Sequence, residues 1–183
     1  MMKHSLILLL FLAIVCASCE GRKSKSVSLR ESIEKFNQNH SAQQKITLFP
    51  KEYSEVITDS IVSGTFKVHI KNFSHPLATV TIRSTEKELA FHRVFESEVS
   101  VSTNKKDILV THISATHFKN HENDAFWDNA TLQHVWVNQE LSSKSHLNLD
   151  ISFIDPNANS YKLYRMTIDT QGNYHTYLIE QTI

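Results

Sequence analysis

From about residue 55 onward, apolar and polar residues alternate with a period of two. Phe66, Val68 and Ile70 alternate with Lys67, His69 and Lys71, which predicts a strand with one buried and one wet face. Asn72–Pro76 reads as a break, after which Ala78, Val80 and Ile82 begin another strand. Leu89, Phe91, Phe95, Val99 and Val101 then share one parity, a run of about 40 Å and longer than a typical strand. Arg93 and Ser97 interrupt its apolar face, so a bend or bulge is expected there. Ile108–Ile113 reads as the returning strand after a Ser102–Asp107 turn.

The C-terminal part predicts a three-stranded meander. Leu147, Leu149, Ile151 and Phe153 alternate with polar residues, Asp155-Pro156-Asn157-Ala158-Asn159 is turn chemistry, and Tyr161–Ile168 runs back. Asp169–Asn173 makes the next reversal and Tyr174–Ile179 closes the set. Alternation of this kind marks antiparallel sheet with one wet side. Seven or more such strands predict a mostly β fold, an antiparallel β-sandwich or else an incomplete barrel.

Two segments depart from period two. Residues 28–37 predict a short N-terminal helix: Ser28 and Glu31 fit a capping box, and Leu29, Ile33 and Phe36 form one stripe. So short a helix is marginal alone and should pack against the rest of the domain. In Asn123–Val137, Asp124 can cap a helical turn through Phe126, Trp127 and Asp128, after which Val135-Trp136-Val137 is strand-like.

The N-terminus has a different pattern. A basic start is followed by an unbroken apolar run, Leu6–Val15, and then by Cys16-Ala17-Ser18-Cys19. This describes a secretory signal, and the run falls short of the roughly 20 residues that span a bilayer. The small residues before Cys19 resemble the bacterial lipobox, which implies acylation, palmitate included, of the Cys19 thiol. Cys16 departs from that pattern, because Leu, Val or Ile usually stands there. An ordinary secretory cut near Ala17 or Ser18 is the alternative. The expected organisation is a signal peptide over 1–18, a charged tether over 19–27 and one β-rich domain over 28–183. Two or three acyl chains would hold such a body stably at a membrane, where a single chain gives only reversible binding.

Composition narrows the function classes. Basic and acidic residues balance at 19 each, so there is no basic excess to suggest nucleic acid, and no acidic block occurs. Only three glycines and three prolines occur in 183 residues, which argues for a packed body beyond the tether. Beyond Cys19 there is no cysteine, so the core must hold without disulfides, as a domain of this size can.

Several segments together resemble small Bacteroidetes-type lipoproteins. They are the lipobox-like Cys19, Leu132-x-x-Val135-Trp136-Val137, Asp155-Pro156, Tyr161-x-Leu163-Tyr164 and Ile168-Asp169-x-x-Gly172. They cover about a third of the chain and consist of packing and turn residues. The resemblance implies a cell-envelope location and a β-rich fold, and it transfers no active site. Surface export in such bacteria tends to need acidic residues after the lipidated cysteine. Here Glu20 is followed by Gly21, Arg22 and Lys23, which favours a periplasm-facing anchor. Asp59-Ser60-Ile61 is similar to the O-glycosylation tripeptide of that phylum, although a plain strand edge accounts for it as well. Asn39, Asn72 and Asn129 begin N-glycosylation patterns, relevant only to a eukaryotic source.

Candidate chemistry is sparse. His112, His117, His121 and Asp124, with Glu122, form the densest set of metal-binding residue types. Their spacing matches no His-Glu-x-x-His pattern, and a solvated loop is the preferred account of them. Glu96 and Glu98 share a strand face, an arrangement that meets a glycosidase distance but hardly its cleft. No Gly-x-Ser-x-Gly elbow occurs and no cofactor is implied. Aromatics offer a better lead: Trp127 beside Asp128 and Asn129 is the expected contact residue, with His134 and Trp136 near it, while Trp136 between two valines is expected in the core. The leading expectation is a lipid-anchored, non-enzymatic envelope module for binding or assembly, which takes a protein partner or a small ligand. The alternatives are a metal-assisted envelope hydrolase using the His112–Asp124 cluster, and a purely structural lipoprotein without a pocket.

Overall fold

The computed structural model describes residues 25–40, 45–85, 87–104, 106–119 and 124–182. The signal peptide, Cys19, most of the tether, His121 and Glu122 lie outside the described residues. The chain divides into two units, residues 1–43 and 44–183. In the first, helix α1 spans Lys25–His40. It begins before Ser28, whose carbonyl accepts from Ser32 Oγ, so Ser28 sits inside the helix and not at its cap. Among the described residues, no helix is long and apolar enough to cross a membrane.

The second unit is a two-sheet, sandwich-like β fold with no closed barrel. Its strands are β1 (Lys45–Phe49), β2 (Glu55–Val62), β3 (Phe66–Ser84), β4 (Glu88–Thr103), β5 (Asp107–Ile113), β6 (Thr131–Val137), β7 (His146–Asp155), β8 (Ser160–Asp169) and β9 (Tyr174–Thr182). One sheet has the order β1-β4-β3-β2, with β5 also on β4, and the other has the order β6-β7-β8-β9. All pairs are antiparallel except β1 on β4. Strand β4 is long enough to carry two neighbours on one edge. Lys45–Phe49 pairs with Glu88–His92, and Asp107–Ile113 pairs with Ser102–Ser97.

The break expected at Asn72–Pro76 does not occur; β3 runs on through it. Pairing with β4 is lost between Ser74 and Thr79, opposite Phe95 and Arg93, so β3 carries the extra residues of a bulge. Proline is tolerated there because no ladder bond is asked of it. The irregularity expected in β4 near Arg93–Ser97 is therefore real, and it is carried by the partner strand. Arg93 secures it by donating to the carbonyls of Pro50, Lys51 and Pro76 at 2.8–3.2 Å. Strand β1 was not signalled by the alternation.

The core lies between the sheets. Phe66, Val68, Ile70, Val99, Val101 and Ile113 face Leu132, Val135, Leu147, Leu149, Ile151, Phe153, Tyr164, Met166 and Ile168, all buried. Burying such side chains contributes roughly 1.5–3 kcal/mol each before conformational entropy is charged against it. The turns follow their residue chemistry. Ser63 and Gly64 both have positive φ in the three-residue β2–β3 connection, where the Thr65 amide donates to the Val62 carbonyl at 3.0 Å. Asp155 Oδ1 accepts from the Asn157 and Ala158 amides in the β7–β8 turn.

Gly172, with φ +91°, shapes the β8–β9 turn and brings it against β5. A Cβ at Gly172 would lie 2.0 Å from the Ile108 carbonyl oxygen. Gly172→Ala is therefore expected to lower stability by at least about 2 kcal/mol, combining left-handed backbone strain with a clash that must be relieved. Urea denaturation checks it, and an unchanged midpoint would contradict the close approach.

Candidate functional site

Strands β5, β8 and β9 and a short helix line one cavity. Beyond β5, the helix α2 (Ala115–Lys119) turns inward, and a 3-10 turn follows at Ala125–Asp128. Asp124 caps that turn by accepting from the Phe126 amide at 3.0 Å, as its sequence position predicts. Phe118 of α2 packs on Phe153, Tyr164 and Trp127 with ring centroids 4.6, 4.9 and 5.6 Å apart. This aromatic cluster holds α2 at one end of the gap between β5 and β9. The Gly172–Ile108 approach closes the other end.

The cleft between them has a volume of about 310 Å³. Thr111, His112 and Ile113 form one wall and Tyr174, His175 and Thr176 the other. His117, Phe118, Tyr164 and Met166 complete it. The size is at the lower end for small-molecule sites, and the lining is the usual mixture of apolar surface with a few polar groups. None of the lining residues is Asp, Glu, Lys or Arg. Of the lining residues, His112 meets a carboxylate, Glu96 on β4, whose Oε2 lies 3.1 Å from His112 Nε2. Glu98, in register with His112 and with Lys71, is exposed on the outer sheet face. Glu96 and Glu98 thus share a face, as expected, and no cleft separates them.

The predicted metal set is not gathered into one site among the described residues. His112 and His117 both line the cleft, but Asp124 is engaged elsewhere, with Oδ2 2.7 Å from Lys162 Nζ. The Lys162 hydrogen bond holds the Asp124 carboxyl below the usual carboxylate range, helped by the Phe126 amide. Lys162 is buried and sits over the Phe126 and Trp127 rings, with Nζ 5.4 and 5.3 Å from their centroids. Among the described residues, no group of three or more His, Cys, Asp or Glu side chains is placed to hold a metal ion.

The two tryptophans exchange their expected places. Trp127 is 3% exposed and belongs to the core, whereas Trp136 is only half-buried on the outer face of the second sheet. Polar neighbours mislead at Trp127, because in a tight helical turn adjacent side chains point in different directions. At Trp136 the period-two rule decides: Val135 pairs with Ile151 and Val137 with Leu149, both facing the core, so Trp136 faces out. His134 shares that outer face and stacks with Trp136, centroids 6.2 Å apart.

Burial pushes the His134 pKa down from its ordinary value. The neutral ring is therefore the folded form's preference. Its contribution to stability is complete above the unfolded pKa of about 6.5 and is lost as pH falls through the lower folded value. NMR titration of the His134 ring should give a midpoint below about 6.5. Trp136→Ala should return it upward by opening the site to water, and an unchanged midpoint would show that Trp136 does not desolvate it.

Of the other sequence candidates, Asp59 pairs with His69 at 2.7 Å and, with Ser60 and Ile61, lies in the sheet-edge strand β2. Asn72 is buried and engaged in the core. Thr111, Met166, Tyr174, His175 and Thr176 were not singled out by the sequence. Their common signal exists only in the meeting of two sheet edges, which no local pattern encodes. No protein-family model matches the chain, and no curated protein matches it.

Proposed function

We propose that this chain is a lipid-anchored module of the bacterial cell envelope that binds a protein partner or small ligand without catalysing a reaction. The cleft between β5 and β9 carries the binding part of the reading. It combines an aromatic and aliphatic floor with a small number of polar groups, the make-up of recognition sites. The anchoring part rests on the sequence from Lys3 to Cys19 and on the resemblance to Bacteroidetes-type lipoproteins, and the basic residues after Glu20 favour a periplasm-facing side.

The two parts are tested separately. Mass spectrometry of protein from its own membranes should find an acylated Cys19 at the N-terminus, and Cys19→Ser should move the protein to the soluble fraction. An unmodified Cys19 in membrane-free material would overturn the anchor. For binding, the tethered protein is cross-linked in its own envelope beside Tyr174→Arg, which places a long charged side chain in the cleft. Species retained by the parent and lost from Tyr174→Arg support the reading. Identical capture by both would exclude the cleft as the binding site.

A further inference from the structure

The long walls of the cleft are strand edges as much as side-chain surfaces. Among the described residues, β5 pairs only with β4, and β9 pairs only with β8. Each therefore keeps one edge without a strand partner among the described residues, and both strands contribute to the same gap, through Thr111–Ile113 and Tyr174–Thr176. An extended peptide added to such an edge gains main-chain hydrogen bonds and places alternate side chains in whatever pockets lie beneath. We infer that the cleft accepts a short extended peptide as an extra strand between β5 and β9, an inference that rests on the binding reading above.

Direction and length follow from the fold. Ile108 meets Gly172 at the closed end, and from there β5 advances to Ile113 while β9 advances past Tyr174. The two walls therefore run the same way, and one guest strand can be antiparallel to both, the slightly more stable pairing. Each wall is three residues long, about 10 Å of strand. That length limits the paired part of the guest to about three residues. The Gly172–Ile108 approach stops the guest at one end, and α2 stops it at the other.

Side-chain chemistry selects among such guests. Inward-facing side chains of the guest would meet Ile113, Phe118, Tyr164 and Met166, a floor suited to Val, Ile or Leu. No Asp, Glu, Lys or Arg is among the described lining residues, and a charged inward residue would be desolvated against the apolar side chains of Ile113, Phe118 and Met166. The preferred guest is a neutral, β-branched segment without proline, because proline lacks the N–H that one wall requires. Insertion would join the two sheets along this side and protect both edges from water.

The fold supplies its own reporter. Phe118 lines the cleft and packs on Trp127, and the chain contains two tryptophans, so Trp136→Phe leaves Trp127 as the sole indole. In that background, the mature protein is titrated with the blocked peptide acetyl-Thr-Val-Thr-Val-Thr-amide, with the same peptide N-methylated at both valines, and with N-acetyl-tyrosinamide as a non-strand probe. Amide hydrogen exchange is measured on each mixture. The parent peptide is expected to shift Trp127 emission saturably and to slow exchange at Thr111–Ile113 and Tyr174–Thr176. The methylated form should bind at least tenfold more weakly. Equal binding of both peptides would overturn strand addition while leaving the cleft a binding site. Binding of N-acetyl-tyrosinamide with neither peptide bound would do the same. If no probe binds and Tyr174→Arg also leaves the captured envelope species unchanged, the binding reading fails with the inference.

Discussion

Replacing Arg165 with methionine is expected to lower stability by about 3–5 kcal/mol, measured by urea denaturation, because it strands a buried carboxylate. Asp150 lies on the outer face of β7, yet its side chain is only 5% exposed. Arg165 on β8 grips it with two hydrogen bonds, Nε to Oδ1 at 2.7 Å and Nη2 to Oδ2 at 3.1 Å, and Asn138 Nδ2 adds a third at 2.8 Å. The Asp150 hydrogen bond raises the Arg165 pKa above its ordinary value, so the guanidinium stays charged through the accessible pH range. Trp136 and Tyr177 flank the pair in register across the four strands. Replacing both partners, Asp150→Leu with Arg165→Met, should recover most of the loss, since a well-packed apolar pair often equals a buried ion pair. Comparable destabilisation in the double variant would mean that the wider polar network, and not the stranded charge, sets the cost.

Asn72→Ala should cost about 2–4 kcal/mol for a related reason. From β3, the Asn72 amide crosses between the sheets to the backbone of β6. It donates to the Val135 carbonyl at 3.1 Å and accepts from the Val135 amide at 3.0 Å. Alanine would leave two buried backbone groups without these partners, each loss costing roughly 1–3 kcal/mol. Ser97, in register with Asn72 on β4, provides the contrast. Its hydroxyl is buried without a hydrogen-bond partner among the described residues, so Ser97→Ala should change stability by less than about 1 kcal/mol. Equal effects at the two positions would show that the cross-sheet bonds contribute little beyond packing.

Around the Asp150 pair, sequence reasoning both succeeds and stops. Period two correctly separates the inward Leu147, Leu149, Ile151 and Phe153 from the outward Asn148, Asp150 and Ser152. It also predicts a wet outer face, which β7 does not have. Asn148, Asp150 and Ser152 are all buried, because β7 is interior to its sheet and its polar side chains are met by neighbours. Thr167 Oγ1 donates to Asn148 Oδ1, Asn148 Nδ2 donates to the Leu141 carbonyl, and Ser152 Oγ donates to Gln133. Similarly, Pro76 has the local character of a strand end, and only the pairing partner reveals a bulge.

What the order of residues determined by itself is local and periodic: the strands of the C-terminal meander, the reversals at Asp155–Asn159 and Asp169–Asn173, the Asp124 cap and the inward parity of the core. These depend on interactions within a few residues or on the twofold alternation of one strand, and both are written along the chain. Tertiary structure alone decided that Trp127 is buried, which polar residues are dry and where the cleft opens. Each of these depends on residues far apart in sequence, such as Ile108 against Gly172 or Asn72 against Val135. Such contacts arise from how two sheets are laid together, and no short stretch of chain records that placement.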